Sequence, residues 1–186
     1  MKKESILERY FIAIIPPSPI LEEALALKNY FKEKYNSKAS LNSPPHITLH
    51  MPFQWKAEKE NLLIERISSF AQRHNAFEIS LLDFGSFEPR VIFIDVVKNG
   101  VLEKLQKELQ LFCKKELNLF NANHKENAYH PHVTLAFRDL RKSEFAKAWE
   151  EFREKKFKAT FSTTSIVLLK HDGARWQIFF EANLRS

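Results

Sequence analysis

The sequence predicts a single domain of mixed helices and strands, built as two similar lobes that face each other across a cleft. Residues 44–50 and 129–137 both contain, in order, a proline, a histidine, a β-branched apolar residue, a threonine and a leucine. Each half of the chain also repeats one order: apolar strand, helix, polar loop, His-x-Thr strand, helix, strand. The 186 residues suit one core and include no linker-like segment. We therefore expect one domain over 1–186 with two pseudo-repeated lobes, roughly 10–87 and 91–184.

Composition excludes several classes of protein. Hydrophobic residues make up 44% and charged residues 28%, as in ordinary soluble globular proteins. Only 3 glycines occur and neither Gly-rich nucleotide motif is present, which argues against a phosphate-binding glycine loop. The single cysteine, Cys113, excludes an internal disulfide framework and a cysteine-rich metal site. With no long apolar run and no signal-like N-terminus, we expect no membrane span and a cytoplasmic location.

The net charge of +6 is compatible with a phosphate-bearing partner. A modest excess of lysine also serves solubility, and the composition does not separate the two readings.

In the first half, an apolar run at 10–15 predicts a buried strand. A helix follows, with Ser18 as its N-cap and Pro19 as its first residue. A polar connection over 36–45 leads into the first His-x-Thr strand, and a second helix spans about 58–74. The expected inward residues are Leu21, Ala24, Leu25, Tyr30 and Phe31 in the first helix, and Leu62, Leu63, Ile67, Phe70 and Ala71 in the second.

A strand over 77–87 closes the first half, and in the second half a strand over 91–97 precedes a helix that starts after Asn99-Gly100. A polar loop over 118–129 leads into the second His-x-Thr strand. Ser143 is expected to cap a fourth helix, and strands over 157–170 and 176–184 flank a hairpin-like turn. The expected inward residues are Val101, Leu102, Leu105, Leu109, Phe112 and Cys113 in the third helix, and Phe145, Ala148, Trp149 and Phe152 in the fourth.

The two His-x-Thr motifs place an imidazole and a hydroxyl on one face of each strand, because every second residue of a strand shares a face. His46 and Thr48 therefore project together, as do His132 and Thr134. With seven histidines in the chain, about one His-x-Ser/Thr triplet is expected by chance. The prediction of a shared site therefore depends on the similar residues around the two triplets and their matching positions in the two halves, and not on either triplet alone.

Two imidazoles and two hydroxyls suit the cleavage of a phosphodiester. In-line displacement needs a base for the attacking oxygen and an acid for the leaving oxygen, and an imidazole with a pKa of about 6.5 serves as either. One histidine on each side of the phosphorus meets this geometry without a metal. Each threonine hydroxyl is then placed to donate to a non-bridging oxygen.

The paired motifs resemble the two signature motifs of the two-histidine (2H) phosphoesterase superfamily, and within it the bacterial 2′-5′ RNA ligase and cyclic phosphodiesterase (LigT-like) group. The resemblance covers nearly the whole chain. It implies a bilobal α+β fold, with two pseudo-symmetric lobes of antiparallel sheet, helices outside and a central cleft. It also implies cofactor-free, metal-independent opening of 2′,3′-cyclic phosphates on RNA ends or nucleotides, with 2′-5′ ligation in some members. By the resemblance, His46 and His132 are the catalytic pair, and Thr48 and Thr134 bind the phosphate.

The sequence departs from that family pattern after the second motif. Many ligase-like members have an arginine five residues past the motif histidine, where this chain has Phe137 and places Arg138 one residue later. Strand parity would put Arg138 on the face of His132, within reach of a phosphate or a base.

Further residues near the motifs are candidates for substrate contact. His50 and His130 are expected to share faces with His46 and His132, where a solvated or hydrogen-bonded role is favoured over a catalytic one. The aromatic side chains of Trp55 and Tyr129 are candidates for stacking on a base, and Phe53 is expected in the core.

Two other functions stay open. His130 and His132, with His46 or His50, would supply three imidazoles to a zinc-dependent hydrolase. Alternatively, the cleft belongs to a non-catalytic RNA- or nucleotide-binding module. The sequence leaves open whether the substrate is an RNA end, a cyclic nucleotide or an ADP-ribose derivative, and which histidine is the base. We expect the protein to act as a monomer.

Overall fold

Residues 5–120 and 128–186 are described by a computed structural model, and they form eight strands and four helices. The strands are β1 (Leu7–Ile14), β2 (Ile47–Lys56), β3 (Phe77–Phe87), β4 (Val91–Val96), β5 (His132–Ala136), β6 (Lys158–Thr163), β7 (Ser165–His171) and β8 (Trp176–Asn183). The helices are α1 (Ile20–Tyr35), α2 (Glu60–Ala71), α3 (Gly100–Glu116) and α4 (Lys142–Phe152). Within these ranges no helix has the length and apolar character needed to cross a membrane.

All eight strands belong to one antiparallel sheet with the order β6-β3-β4-β5-β2-β1-β7-β8. The sheet consists of two four-stranded halves that join where β2 meets β5, through the residue pair Ile47 and Val133. Helices α1 and α4 pack against β5 and β4, whereas α2 and α3 pack against β8 and β2. The prediction of an α+β fold with antiparallel strands covered by helices is confirmed.

One half of the sheet, formed by β3 to β6, is continuous in sequence, whereas the other combines β1 and β2 with β7 and β8. Strand β3 pairs with β4 and β6, while β7 pairs with β1 and β8. The bounds predicted for the lobes, 10–87 and 91–184, therefore do not coincide with the halves. The short connection between β3 and β4 explains the difference, because it pairs them as neighbours and brings β3 into the half that contains β5.

The predicted helical faces are largely correct. Leu63, Ile67, Leu105, Leu109 and Cys113 are buried in the main core. Apart from Leu25, the predicted inward residues of α1 and α4 are either half-buried, as are Leu21, Tyr30 and Trp149, or buried, as are Ala24, Phe31, Phe145, Ala148 and Phe152. Burial raises the pKa of the Cys113 thiol to about 12, in keeping with an inert side chain. Phe53 is also buried in this core, as expected.

Some local predictions are wrong. Leu25, Leu62 and Val101 are exposed, because each lies at the margin of its helical stripe rather than at its centre. Helix α1 begins at Ile20, and the Ser18 hydroxyl donates to Glu22 instead of capping backbone amides.

Other differences concern the bounds of elements. Helix α4 begins at Lys142, so Ser143 lies inside it, and the strand predicted over 157–170 is divided into β6 and β7. Part of the polar loop predicted over 118–129 lies outside the described residues.

Candidate active site

The two His-x-Thr motifs meet at the junction between the halves of the sheet. Ile47 pairs with Val133, and in an antiparallel arrangement about this pair His46 comes opposite Thr134 and Thr48 opposite His132. Ile47 and Val133 are fully buried against the helices, so the motif histidines and threonines belong to the other face of the sheet. The structure thus brings together the four residues that the sequence singled out.

An open cavity of about 180 Å³ lies over this junction. Three of the four motif residues line it, and Arg138 does so as well. Among the described residues no acidic side chain lines it; the lining residues are Phe11, Lys28, Ser40, Ser43, His46, Thr48, Met51, Pro52, Thr134, Phe137, Arg138 and Trp176. His132 is outside this set but close enough for its charge to contribute to lowering the pKa of His46. The described lining side chains include the cations Lys28 and Arg138 and no anion, as expected for a site that binds an anionic ligand.

Both histidines are held by the same local hydrogen bond. Nδ1 of His46 lies 2.7 Å from the carbonyl oxygen of Pro44, and Nδ1 of His132 lies 2.7 Å from the carbonyl oxygen of His130. Because a carbonyl only accepts, each Nδ1 carries the hydrogen and donates it. Nε2 is then the nitrogen of each ring that is left to gain or lose a proton.

The electrostatic surroundings of the two rings differ. Burial, followed by the positive charge of Lys28, lowers the pKa of His46 to about 4. Burial also lowers the pKa of His132, but the nearby Asp95 carboxylate opposes that change. Asp95 pairs with His132 across β4 and β5, and its Oδ1 lies 2.9 Å from Nε2 of His130. The equivalence of the two motifs in sequence is therefore broken in the folded protein.

Both threonine hydroxyls are available to a ligand. Within residues 5–120 and 128–186, neither the Thr48 nor the Thr134 hydroxyl has a hydrogen-bond partner, and both side chains are half-buried in the cavity wall. The backbone carbonyl of Thr48 accepts a hydrogen bond of 2.9 Å from the Tyr129 hydroxyl. Tyr129, predicted to contact substrate, instead connects the two motifs.

The other predicted contacts divide into one that reaches the cavity and three that do not. Arg138 lines it, although β5 ends at Ala136 and strand parity no longer applies; its φ is 57° and its guanidinium lies 4.9 Å from the centre of the Phe137 ring. Trp55 donates from Nε1 to the carbonyl of Lys59, 2.8 Å away at the far end of β2. His130 is exposed beside Asp95.

His50 lies in the core rather than on the face of His46. Its side chain is fully buried, Nδ1 contacts the Met51 carbonyl at 2.8 Å, and Nε2 has no hydrogen-bond partner within the described residues. The expectation of a shared face is wrong because the register with β1 shifts between Ile12 and Ala13, which face His50 and Thr48. Such a bulge turns the residue beyond it to the opposite face of the sheet.

The zinc ligand sets considered from the sequence are not favoured by this placement. His50 is enclosed in the core, and His130 is hydrogen-bonded to Asp95. In the described part of the chain, no group of three or more His, Cys, Asp and Glu side chains is arranged to hold a metal ion.

Lys28 and Trp176 line the cavity but were not predicted from the sequence. Lys28 lies in the buried stripe of α1 with Ala24 and Phe31, and a cation at such a position is an unusual signal that could have drawn attention to it. Trp176 packs edge-on against Phe11 with ring centres 4.7 Å apart. Nothing local in the sequence indicates its position, because β8 reaches the cavity only through the order of strands.

Comparison with known proteins gives consistent results. A family model described as the 2′-5′ RNA ligase superfamily matches residues 16–175. A protein of Geobacillus kaustophilus named "Putative phosphoesterase" is 31% identical over 149 residues, which cover 78% of each chain.

Solved structures share the fold. LigT of E. coli, crystallised with 3′-AMP, has a TM-score of 0.69 at 22% identity and covers 97% of this chain and 100% of its own. TT0787 of Thermus thermophilus has a TM-score of 0.67 at 18% identity, with coverage of 96% and 98%.

Proposed function

The chain belongs to the 2′-5′ RNA ligase superfamily, and from that membership we propose that it is a phosphoesterase that opens 2′,3′-cyclic phosphates of RNA ends or nucleotides. The observation that carries the proposal is the matched pair of imidazoles at the cavity. Each is fixed by a hydrogen bond from Nδ1 to a backbone carbonyl, so each Nε2 remains for proton transfer. Two threonine hydroxyls without partners among the described residues adjoin them.

The different surroundings of the histidines support separate roles. His46, beside the Lys28 charge, is the ring that is more readily neutral and acts as the general base. His132, beside Asp95, more readily keeps a proton and acts as the general acid. Nε2 of His46 takes a proton from a water molecule as the oxygen of that water bonds to phosphorus. The bond from phosphorus to one ribose oxygen breaks, and that oxygen receives the proton of His132. Thr48 and Thr134 donate to non-bridging oxygens.

The same geometry accommodates a second nucleophile. If the 5′-hydroxyl of another RNA end replaces water, the identical proton transfers join the two ends, which is the 2′-5′ ligase activity implied by the family resemblance. That E. coli LigT was crystallised with 3′-AMP supports a nucleotide ligand, because a nucleoside 3′-monophosphate is one ring-opened product. Arg138, at the rim of the cavity, is proposed to contact the phosphate or base of that ligand.

Hydrolysis of 2′,3′-cyclic AMP by wild type and single variants tests the proposal. We expect His46→Ala and His132→Ala each to lower kcat by at least about 100-fold, the usual contribution of a general acid or base. His74→Ala is the matched control, because it removes an imidazole that contacts Glu108 outside the cavity. Unchanged activity in either motif variant would refute paired-histidine catalysis.

A chelator separates this reaction from the metal-dependent alternative. We expect full activity in EDTA. Activity that is lost in EDTA and restored by zinc would instead support a metal-dependent hydrolase. If the wild type binds 2′,3′-cyclic AMP but does not hydrolyse it, the result would support a non-catalytic binding module.

A further inference from the structure

Lys28 is a buried cation in the wall of the cavity. Its side chain is 1% exposed and extends from α1, where it shares the inner stripe with Ala24 and Phe31. A charged group removed from water is costly unless it is paired. Protonated Lys28 therefore places a positive charge at an unfavourable position beside His46, and a bound anion would compensate that charge.

The hydrogen bonds of Lys28 leave its charge and one donor uncompensated. Nζ donates to the carbonyl oxygen of Ser40 at 2.9 Å and to that of Ser43 at 3.0 Å. An ammonium group has three donors, so one remains. Among the described residues Lys28 forms no ion pair with a carboxylate, and no acidic side chain lines the cavity.

We infer that Lys28 is a phosphate-binding residue, whose ammonium contacts a non-bridging oxygen of the substrate phosphate between Thr48 and Thr134. The inference rests on the proposed function in that it places the scissile phosphate in this cavity. The two serine carbonyls hold the ammonium in a fixed position, and the third N–H is the donor that remains for the ligand. The missing counter-ion of Lys28 is thus the phosphate itself.

Lys28 would supply a positively charged hydrogen-bond donor, which the two threonine hydroxyls do not. Neutral hydroxyls orient a phosphate, but a charged donor makes a stronger hydrogen bond and stabilises the additional negative charge of the transition state. Burial lowers the pKa of Lys28 to about 7, so a bound anion, which favours the charged form, would draw a proton onto the amine. His46 is the other titrating group that faces Lys28, and its pKa responds to the lysine charge.

Binding of inorganic phosphate, measured by calorimetry, tests the inference in Lys28→Met, which keeps the length of the side chain and removes the charge. We expect the Kd for phosphate to rise at least about tenfold, as for the loss of a hydrogen bond to a charged group. The kcat/KM for 2′,3′-cyclic AMP should fall by at least as much. Lys32→Met, one turn along the same helix and exposed, removes an equal charge and should change neither value.

Phosphate affinity distinguishes this role from a structural one. If Lys28 only ties the Ser40 and Ser43 carbonyls, Lys28→Met will lower the melting temperature and leave the Kd for phosphate within twofold of wild type, which would overturn the inference. If the variant does not fold, the Nζ resonance of Lys28 in 15N-lysine-labelled wild type decides. It should shift on addition of phosphate, and a resonance that stays in place at saturation refutes the contact.

The result is also separable from the proposed function. A wild-type protein that binds phosphate through Lys28 but hydrolyses no cyclic phosphate retains this inference and loses the proposed reaction. If instead the wild type hydrolyses 2′,3′-cyclic AMP and Lys28→Met leaves the Kd for phosphate unchanged, the proposed reaction is retained and this inference is refuted.

Discussion

His46 and His132 make the same hydrogen bond but have different charged neighbours, and within the described part of the chain only His132 has a carboxylate among them. Lys28 lies beside the first, and Asp95 lies near the second and contacts His130, two residues before it. A neighbouring cation disfavours an imidazolium, and a neighbouring carboxylate favours one. These different neighbours are the physical basis for the separate roles that we propose for the two rings.

The pH dependence of kcat/KM should reflect these roles. The base is active once His46 is neutral, above its pKa of about 4, and the acid is active while His132 is protonated, below a pKa lowered from 6.5. We therefore expect a bell-shaped profile for 2′,3′-cyclic AMP with its maximum between about pH 4 and 6.5. A profile that is flat, or that peaks above pH 7, would contradict the assignment. In Lys28→Met the acidic limb should move to higher pH, because the charge that lowers the pKa of His46 is gone.

Protein stability must be followed in the same experiment. Both histidines have pKa values below that of an unfolded histidine, so the unfolded chain binds more protons as the pH falls below about 6.5. Their contribution to stability is therefore complete above that pH and is lost as the pH falls towards 4. Thermal melts at each pH will separate a loss of fold from a loss of the catalytic proton.

The motif residues were predictable because strand alternation and repetition are local properties of the sequence. His46 and Thr48 needed only parity, and parity failed for His50 because a bulge in the pairing with β1 intervenes. Lys28 and Trp176 reach the cavity from α1 and β8 through tertiary packing, which a local pattern does not encode.

At the scale of elements, β3 and β4 approach each other closely behind His132. Gly85 of β3 pairs with Phe93 of β4, and the Phe93 ring lies across the glycine. The ring of Phe93 is 4.7 Å from that of His132 and 4.6 Å from that of Phe87. Gly85 thus sets the depth at which Phe93 supports the histidine, which gives this glycine a packing role within a strand.

Substitution of Gly85 by alanine should disturb both stability and catalysis. A Cβ atom at this position would lie 2.4 Å from Cε2 of Phe93, whose ring is enclosed and cannot retreat freely. We expect Gly85→Ala to lower the free energy of unfolding in urea by about 1–3 kcal/mol, as overpacking does, and to reduce kcat through the displaced His132. Gly100→Ala is the control, because a Cβ there meets nothing within 4 Å. It should keep wild-type kcat with stability unchanged or slightly raised. Wild-type values for Gly85→Ala would show that the ring adjusts without moving His132.

The repeated order of elements predicted two related halves, but not which half each strand would join. In the order of the sheet, a pseudo-twofold axis between β2 and β5 relates β2 to β5, β1 to β4 and β7 to β3. The strand equivalent to β3 is therefore β7, which lies near the end of the chain. The short connection between β3 and β4 indicates from the sequence alone that these two strands pair as a hairpin. The consequence for the whole sheet appears only when all eight strands are paired.

At the scale of the whole molecule, the path of the chain and the packing of the helices connect the two halves more strongly than the junction of β2 and β5 does. One half combines β1 and β2 with β7 and β8 from the end of the chain. Helix α1 follows β1 yet packs against β5 in the other half, and α3 follows β4 yet packs against β2. The half with β1, β2, β7 and β8 takes its strands from both ends of the chain, and each half is covered by a helix that follows a strand of the other half, so we expect the halves to unfold together.

Two variants with a single tryptophan will test the prediction of one domain. Trp149 lies in α4, on the half that contains β4, and Trp176 begins β8, in the other half. One variant retains Trp149 with Trp55→Phe and Trp176→Phe, and the other retains Trp176 with Trp55→Phe and Trp149→Phe. Within each variant, we expect fluorescence and far-UV circular dichroism to give the same urea midpoint and m-value, as a two-state transition requires. Each m-value should also match that of wild type, because the same total surface is exposed. A fluorescence transition that precedes the loss of circular dichroism in either variant would mean that the halves unfold separately, and would refute the single cooperative domain.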